Sequence, residues 1–191
     1  MKLWDSVERK ELGDYTIFRL TQQRSRSPRN GREHSFYVLE TADWVNVIPI
    51  TPEGKVVLIR QYRVGIDTVT LEIPGGMVDA ADESPAESAR RELLEETGYA
   101  ADEIVQIGRV SSNPAFINNY THTFLARNAR LVGETHFDSA EYIEFELADI
   151  EDIPTLIATG QITHSLVIAA FYHYENYQRG NKWVIGGKEQ R

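Results

Sequence analysis

The sequence predicts an α/β fold in which a mixed sheet packs between helices, with an antiparallel strand pair added at the N-terminus. Three observations indicate this fold. Apolar or alternating segments of strand length recur along the chain. One helix with clear start and stop signals interrupts them, and two further helical segments close the chain. Strands and helices mixed in this order are typical of helices layered on a sheet.

The N-terminal strand pair is predicted from alternation. Residues 13–24 alternate apolar and polar side chains, and residues 34–41 return as a second strand. Between them, Arg24 to Arg32 form a basic loop with an Asn-Gly turn, which is a common connection in hairpins.

The central strands follow directly. Residues 44–50 and 56–63 are apolar segments joined by a Thr-Pro-Glu-Gly-Lys turn, and this pattern predicts a hairpin. Residues 68–73 form another strand, which leads straight into Gly75 and Gly76. The remaining predicted elements are strands over 103–112, 120–126 and 141–148 and helices over about 149–158 and 164–178.

The helix after the glycine turn has well-defined ends. Ser84 and Glu87 form a capping box, and Pro85 occupies the first helical position. Gly98 ends the helix as a left-handed cap. Small and apolar residues at helical spacing give it a stripe that can pack on a sheet, namely Ala86, Ala89 and Leu93.

This helix carries three glutamates. Glu92 and Glu96 lie one turn apart with Glu95 beside them, because residues three and four apart share a helix face. Carboxylates this close repel one another unless a cation lies among them, so the sequence proposes a divalent-metal site. The alternative is a solvated acidic face on which Arg91 pairs with Glu95.

Composition agrees with an ordinary soluble enzyme of 191 residues, which is the size of one domain. No segment approaches the roughly 18 apolar residues of a membrane span, and the N-terminus lacks the apolar core of a signal peptide. The absence of cysteine excludes disulfides and thiolate metal sites, and it fits the cytoplasmic location that we predict. The formal net charge of −9 argues against a general nucleic-acid binder.

The segment from Gly76 to Tyr99 resembles the Nudix box, the signature of the Nudix hydrolase family. The pattern is a glycine, five residues, a glutamate, seven residues and then Arg-Glu-U-x-Glu-Glu-x-Gly-U, where U is bulky and apolar. Residues 91–99 match the second half without a gap, and seven residues separate Glu83 from Arg91. Six residues rather than five separate Gly76 from Glu83, so this loop carries one extra residue. The insertion lies in a turn, where added length costs little.

The resemblance covers most of residues 40–175 and implies an α/β/α sandwich with the box helix against the sheet. The chain is most similar to the branch that contains ADP-ribose pyrophosphatases and other nucleoside-diphosphate-sugar hydrolases. Members of that branch often have an N-terminal strand pair that crosses onto a partner subunit. We therefore expect residues 1–42 to support a homodimer and residues 43–191 to form the Nudix domain. The alternative is an extra hairpin on a monomer.

The resemblance also implies a divalent-metal centre, with Mg²⁺ expected and Mn²⁺ as the alternative. The implied ligands are Glu92, Glu95, Glu96 and the backbone carbonyl of Gly75. Mg²⁺ prefers hard oxygen ligands, and a glycine lets the backbone approach an ion closely. Arg91 is expected to orient the glutamates, through Glu83, rather than to touch substrate.

The general base of this branch comes from a loop before a late strand, and the matching residue is Glu141. Alternation places Ile143, Phe145 and Leu147 on one face of that strand, which we expect to be the core face. Glu141 shares their parity but lies at the mouth of the strand. It is the candidate base or a residue at the sheet rim, and direct activation of water by metal is the alternative.

Substrate contacts are expected from aromatic stacking and a few polar groups. The candidates are Trp44, Arg63, Glu72, Phe116 and Asn119. Trp44 resembles tryptophans that stack on the base in this branch, and otherwise would anchor a core or interface. Arg63 suits bidentate contact with phosphate or ribose. Glu72 resembles a substrate-side or metal-side residue, or is structural, whereas the loop with Phe116 and Asn119 is placed to line a sugar pocket.

The expected activity is Mg²⁺-dependent hydrolysis of a nucleoside diphosphate sugar such as ADP-ribose or GDP-mannose. One alternative is another capped diphosphate, such as a dinucleotide or an RNA 5′ end, against which the acidic charge weighs. The other is a nucleotide-binding module that regulates a partner without hydrolysis.

Overall fold

The computed structural model describes residues 1–135, 142–181, 183–185 and 188–189. The chain divides into two compact units. The first consists of Met1–Asp43 and Ser111–Tyr120, and the second of Trp44–Val110 and Thr121–Arg191.

The first unit contains a three-stranded antiparallel sheet whose strands lie side by side in chain order. Its strands are β1 (Asp5–Asp14), β2 (Arg19–Arg26) and β3 (Glu33–Glu40). The sequence predicted only a pair, with one strand over 13–24. That limit is wrong, because Gly13 and Asp14 end β1 and a turn with Thr16 at a φ of 66° precedes β2.

Strand β1 escaped prediction because its side chains are almost all exposed, which leaves no alternation of apolar residues. Ion pairs connect β1 to the other two strands of this sheet. Arg24 pairs with Glu8 at 2.9 Å, and Arg9 donates to Glu40 at 2.5 Å.

The remaining elements of the described residues form a seven-stranded sheet, two separate short strand pairs and three helices. The strands are β4 (Trp44–Ile50), β5 (Lys55–Arg63), β6 (Thr68–Glu72), β7 (Gly75–Met77), β8 (Tyr99–Ala100), β9 (Glu103–Ser111), β10 (Tyr120–Arg127), β11 (Arg130–Leu131), β12 (Ile143–Asp149), β13 (Val184–Ile185) and β14 (Lys188–Glu189). The helices are α1 (Pro85–Thr97), α2 (Ile153–Ala158) and α3 (Ser165–Gln178), with a 3-10 turn over Ile150–Asp152 before α2.

The large sheet is mixed and has the order β12-β5-β4-β10-β9, with β6 paired to β5 and β7 paired to β4. Strands β4 and β10 run parallel, whereas β12, β6 and β7 pair antiparallel with their neighbours. The predicted hairpin between β4 and β5 is present, and its turn is closed by the N–H of Thr51, which donates to the carbonyl of Lys55 at 2.8 Å.

Side chains alternate across β4 and build a core on each face of the sheet. Val45 and Val47 pack in one cluster with Ala89 and Leu93 of α1. Ile48 belongs to a second cluster, which includes residues of α2 and α3. This arrangement confirms the predicted α/β/α sandwich.

Strand β12 lies at the sheet edge, and its predicted core face is only partly correct. Ile143 is buried, but Phe145 and Leu147 are 40% and 49% exposed. Alternation alone does not distinguish an edge strand from a covered one. Ion pairs to β5 help to hold this strand, including the pair between Arg60 and Glu146 at 2.7 Å.

Among the helices of the described residues, none is both long enough and apolar enough to cross a membrane.

Candidate active site

Helix α1 presents the acidic residues from a fixed starting point. The Ser84 hydroxyl accepts a hydrogen bond from the N–H of Glu87, and Pro85 is the first helical residue. Gly98 adopts a φ of 71° and its N–H donates to the carbonyl of Leu94 at 2.8 Å. These predicted caps are present, and they set which residues of the helix face the glycine turn.

The glycine turn lies close to the backbone of β4 and to the side chain of Glu92 on α1. In β7, Gly75 is opposite Asn46 and Gly76 is opposite Val45. A Cβ atom on Gly75 would overlap the carbonyl oxygen of Val45, and a Cβ atom on Gly76 would overlap the carboxylate of Glu92. The absence of side chains therefore brings the turn and the helix carboxylates together.

Two of the predicted metal ligands contact this turn. Glu96 is buried, and its Oε2 accepts a hydrogen bond from the N–H of Gly75 at 2.9 Å. The side chain of Glu92 is 15% exposed and lies against Gly76.

Arg91 connects the acidic residues to one another. Its Nη1 donates to Glu92 Oε1 at 2.9 Å and to Glu95 Oε2 at 3.0 Å. Its Nη2 donates to Asp82 Oδ2 at 3.1 Å and to the carbonyl of Met77 at 3.3 Å. Partial burial acts to lower the pKa of Arg91, but these acids raise the pKa overall, so the guanidinium stays charged.

The partner of Arg91 in the loop before the helix is Asp82, and the prediction that it would be Glu83 is wrong. Glu83 is exposed, whereas the side chain of Asp82 is only 11% exposed. The nearby Ser88 hydroxyl and the hydrogen bonds from Arg91 hold the pKa of Asp82 below its ordinary value. The signal was present in the sequence, because five residues separate Gly76 from Asp82, as the pattern requires.

A cavity of about 330 Å³ opens beside the glycine turn. Gly75 and Gly76 line it, together with three of the residues predicted to contact substrate, Trp44, Arg63 and Glu72. The glycine turn therefore contacts Glu92 and Glu96 of α1 and also lines the cavity that contains these three residues.

Arg63 and Glu72 form a bidentate pair across β5 and β6. Arg63 Nε donates to Glu72 Oε1 at 2.8 Å and Nη2 donates to Oε2 at 2.7 Å. The Thr70 hydroxyl also donates to Glu72 Oε1, at 2.5 Å. Burial acts to raise the pKa of Glu72, but hydrogen bonds from Arg63 and Thr70 and the charge of Arg63 outweigh it, so the pKa lies below its ordinary value. Glu72 thus holds the arginine in place at the cavity wall.

This grouping lies in the second unit and does not test three further predicted site residues. Phe116 and Asn119 belong to the first unit, where Phe116 is exposed and the Asn119 amide donates to the carbonyl of Ala42 at 3.1 Å. Glu141 lies outside the described residues. The roles assigned to these three residues stay predictions.

The donor set around the glycine turn fits a hard divalent cation. Glu92, Glu95, Glu96 and the Gly75 carbonyl offer only oxygen donors, which Mg²⁺ and Mn²⁺ prefer. Within the part of the chain that the structure describes, no three acidic or histidine side chains converge closely enough to hold an ion as they stand. Arg91 and the Gly75 N–H engage the three carboxylates instead.

Comparison with known proteins identifies the family. The family model described as the NUDIX domain matches residues 40–171, which is more than half of the chain. The chain belongs to this family. The match spans the glycine turn, the box helix and the cavity, and members of the family generally use divalent metal ions.

Individual relatives agree with this assignment. The chain is 30% identical over 134 residues to the ADP-ribose pyrophosphatase of Bacillus subtilis (strain 168), a match that covers 70% of this chain and 72% of the relative. It is 26% identical over 147 residues to the methanol dehydrogenase activator of Bacillus methanolicus, covering 76% of this chain and 79% of that one. A crystal structure of ADP compounds hydrolase superposes with a TM-score of 0.82 at 19% identity, covers 94% of this chain and 96% of that chain, and shows the shared fold.

Proposed function

We propose that this NUDIX domain protein hydrolyses the diphosphate bond of nucleoside diphosphate sugars, with ADP-ribose as the first substrate to test. The main support for the proposal is that the glycine turn lies between the acidic residues of α1 and the cavity. Glu92 and Glu96 contact the same glycine turn that lines a cavity with Trp44 and Arg63. The similarity to an ADP-ribose pyrophosphatase supports the choice of substrate.

The proposed reaction consumes one water molecule. The water oxygen bonds to one phosphorus, the bond from that phosphorus to the bridging oxygen breaks, and the bridging oxygen leaves with the other phosphate. The two protons of water end on the products or in solvent. ADP-ribose would yield AMP and ribose 5-phosphate, and GDP-mannose would yield GMP and mannose 1-phosphate.

The residues that would hold the divalent ion are Glu92, Glu95, Glu96 and the carbonyl of Gly75, with Mg²⁺ proposed and Mn²⁺ as the alternative. A bound divalent ion supplies neutralisation of phosphate charge and activation of water. Arg91 acts on these acids as a positioning residue, since its guanidinium donates to both Glu92 and Glu95. Glu141 is proposed as the base that takes the proton from water.

We propose that the residues predicted from the sequence to contact substrate bind it. Trp44 is proposed to stack on the base and Arg63 to contact a phosphate, with Glu72 orienting Arg63 through the bidentate pair. Phe116 and Asn119 are proposed to contact the sugar.

The first unit is proposed to support a homodimer, and a cytoplasmic location is proposed with it. The first unit exposes large apolar side chains that a second copy would cover, including Trp4, Phe36 and Tyr37 at 44%, 43% and 54% exposure. The ring of Trp4 packs edge-on against Phe36 with centroids 5.3 Å apart, which makes a preformed aromatic surface. Light scattering on the purified chain measures the mass and so tests the dimer.

The test of the activity is release of nucleoside monophosphate from ADP-ribose, GDP-mannose and UDP-sugars. Mg²⁺-dependent release from at least one of them, abolished by a chelator, is the expected result. No release from any member of the panel, with Mg²⁺ or Mn²⁺ present and the protein folded by circular dichroism, would overturn the proposal.

The similarity to a methanol dehydrogenase activator favours a second candidate, a module that binds a nucleotide and acts on a partner protein. Such modules usually lose box glutamates, whereas this chain retains Glu92, Glu95 and Glu96. Binding of ADP-ribose without release of AMP would support the module over the hydrolase.

A further inference from the structure

The sulfur of this chain is confined to two methionines. The sequence contains no cysteine, and its methionines are Met1 and Met77. Met1 is the first residue, whereas Met77 ends β7 and follows the glycine turn directly. A thioether is oxidised to a sulfoxide, which places a polar group where an apolar one stood. Beyond the first residue, Met77 is therefore the one position in this sequence where a thioether can be oxidised.

Met77 is open to solvent at the cavity beside the glycine turn. It lines this cavity together with Trp44 and Arg63. With 38% of its surface exposed, it is the most exposed of the residues that line the cavity. Small solutes such as hydrogen peroxide therefore reach this residue without unfolding of the protein.

The pairing of β7 with β4 shows which side chains lie beside Met77. Met77 is directly opposite Trp44 on β4, and Trp44 is directly opposite Thr121 on β10. Directly opposite residues share a face of the sheet, and in antiparallel pairs their Cβ atoms are about 4.5–5.5 Å apart. All three residues line the cavity. They form one row across three strands, and Met77 is the outer member of that row.

The neighbours of Met77 in the chain lie on the other face. Val78 packs against the apolar cluster beneath α1, and a Cβ atom on Gly76 would overlap the carboxylate of Glu92. Because successive side chains along an extended segment point to opposite faces, the side chain of Met77 points away from α1. Its backbone carbonyl accepts a hydrogen bond from Arg91 Nη2 at 3.3 Å. Met77 is thus anchored through its backbone to the arginine that holds the helix acids, while its side chain lies on the cavity face.

A sulfoxide at Met77 would change this wall of the cavity in two ways. It enlarges the side chain beside Trp44, and it replaces an apolar surface with an oxygen that accepts hydrogen bonds but donates none. The phosphates of the proposed substrate also present acceptor oxygens, so the two groups repel each other. Much of the remaining wall is apolar and offers no donor side chain, namely Val45, Ile73, Leu166 and Val167. A substrate that covers the sulfoxide would leave its oxygen without a partner, which weakens binding.

We propose that Met77 is an oxidation site through which a peroxide lowers the activity of this protein. The inference rests on the proposed hydrolysis of nucleoside diphosphate sugars and adds regulation of the same site. In the step, a lone pair of the Met77 sulfur attacks one oxygen of hydrogen peroxide, and the O–O bond breaks. Sulfur loses two electrons and becomes the sulfoxide, while the other oxygen leaves as water with both protons. Methionine sulfoxide reductases reverse this change.

The experiment treats the purified full chain with hydrogen peroxide, which catalase then removes. Mass spectrometry of peptides measures the oxygen gained at Met77 and at Met1, and kcat/KM for ADP-ribose is measured with Mg²⁺ before and after treatment. The matched variant is Met77→Leu, which is of similar size, cannot form a sulfoxide at this position and retains Met1. Each protein is compared with its own untreated sample, so an effect of the substitution itself cancels.

In the wild type, we expect Met77 to gain one oxygen atom and kcat/KM to fall by about fivefold or more. The circular dichroism spectrum should stay that of the folded protein. Treatment with methionine sulfoxide reductases A and B should restore the activity. In Met77→Leu, Met1 should be oxidised to the same extent, but kcat/KM should stay within about twofold of the untreated value.

Several results would overturn the oxidation site while the proposed function stands. Met77 could gain no oxygen at a peroxide dose that oxidises Met1, or it could be oxidised with kcat/KM unchanged. An equal loss of activity in Met77→Leu, or a loss that the reductases do not reverse, would place the damage elsewhere. Loss of the folded spectrum would show unfolding rather than a local effect. An untreated wild type that hydrolyses no nucleoside diphosphate sugar refutes the proposed function and this inference with it.

Discussion

Arg91 and Asp82 are joined through a single carboxylate oxygen, since Nε and Nη2 both donate to Oδ2, at 3.3 and 3.1 Å. The same guanidinium donates through Nη1 to Glu92 and Glu95. Asp82 is therefore the fixed point from which Arg91 orients two of the proposed metal ligands, and it does so without lining the cavity itself. Asp82 therefore influences the proposed metal ligands only through Arg91.

The first prediction separates Asp82 from its neighbour Glu83. Asp82→Ala should lower kcat for AMP release by about tenfold or more, because Arg91 loses its anchor and the helix acids lose their orientation. Glu83→Ala, one residue away and exposed, should stay within about twofold of the wild type. A steady-state assay with ADP-ribose measures both variants. Equal losses of kcat, or a larger loss in Glu83→Ala, would show that Glu83 and not Asp82 is the functional partner of Arg91.

The second prediction concerns Glu96. Glu96→Gln keeps an oxygen that can accept the Gly75 N–H, so the melting temperature should change little. The lost negative charge should lower kcat by roughly 100-fold or more and weaken binding of Mg²⁺. Glu87→Gln is the matched control, since Glu87 is exposed in the first turn of the same helix and should retain activity. Near-wild-type turnover in Glu96→Gln would remove its assignment as a metal ligand.

Local signals made the helix and its acids predictable from the sequence. The capping box and the terminal glycine act within a few residues of the chain, so the ends of α1 follow from Ser84 and Gly98 alone. The spacing of the glutamates then follows from helix geometry. The anchor of Arg91 did not follow from spacing, because the extra loop residue leaves Glu83 at the expected distance from Arg91 and Asp82 at the expected distance from Gly76.

Features that depend on distant contacts were not predictable in the same way. Strand β1 is held by pairing to β2 and has no buried face, so its sequence carries no periodic signal. Phe145 lies on β12 at the edge of the sheet, where it packs edge-on against Tyr99 but stays 40% exposed, and alternation does not reveal that exposure. Asn46 and His164 line the same cavity although 118 positions separate them, which depends on the contact of β4 with α3 and which no local pattern reveals.

The third prediction contrasts the two glycines of the turn. In Gly75→Ala the new Cβ meets the carbonyl oxygen of Val45 and, at 2.9 Å, the Cα of Asn46, and backbone moves only with the strand. We expect a loss of about 2 kcal/mol in the free energy of unfolding. In Gly76→Ala the Cβ meets the carboxylate of Glu92, which can swing away. That variant should lose less than about 1 kcal/mol of stability but about tenfold in kcat.

Denaturant unfolding and steady-state kinetics on the two glycine variants check this contrast. The two variants differ by one position and by the same added methyl group, so each is the control for the other. The opposite order, with Gly76→Ala less stable than Gly75→Ala, would contradict the close approach of the turn to β4.

The fourth prediction concerns acid stability and the pair of Glu72 with Arg63. The pKa of Glu72 is lower in the folded protein than its ordinary value, so the folded state binds this proton more weakly than the unfolded state does. The stability contributed by ionised Glu72 is therefore full above the ordinary glutamate pKa of 4.5 and is lost as pH falls through the pKa of the folded protein.

The wild type should therefore lose more free energy of unfolding between pH 6 and pH 3 than Glu72→Gln does. Arg63 is 39% exposed, so 0.5 M salt should screen the pair only in part and leave the difference visible. Urea unfolding across this pH range measures it, and parallel curves for the two proteins would show that the pair does not favour the ionised carboxylate.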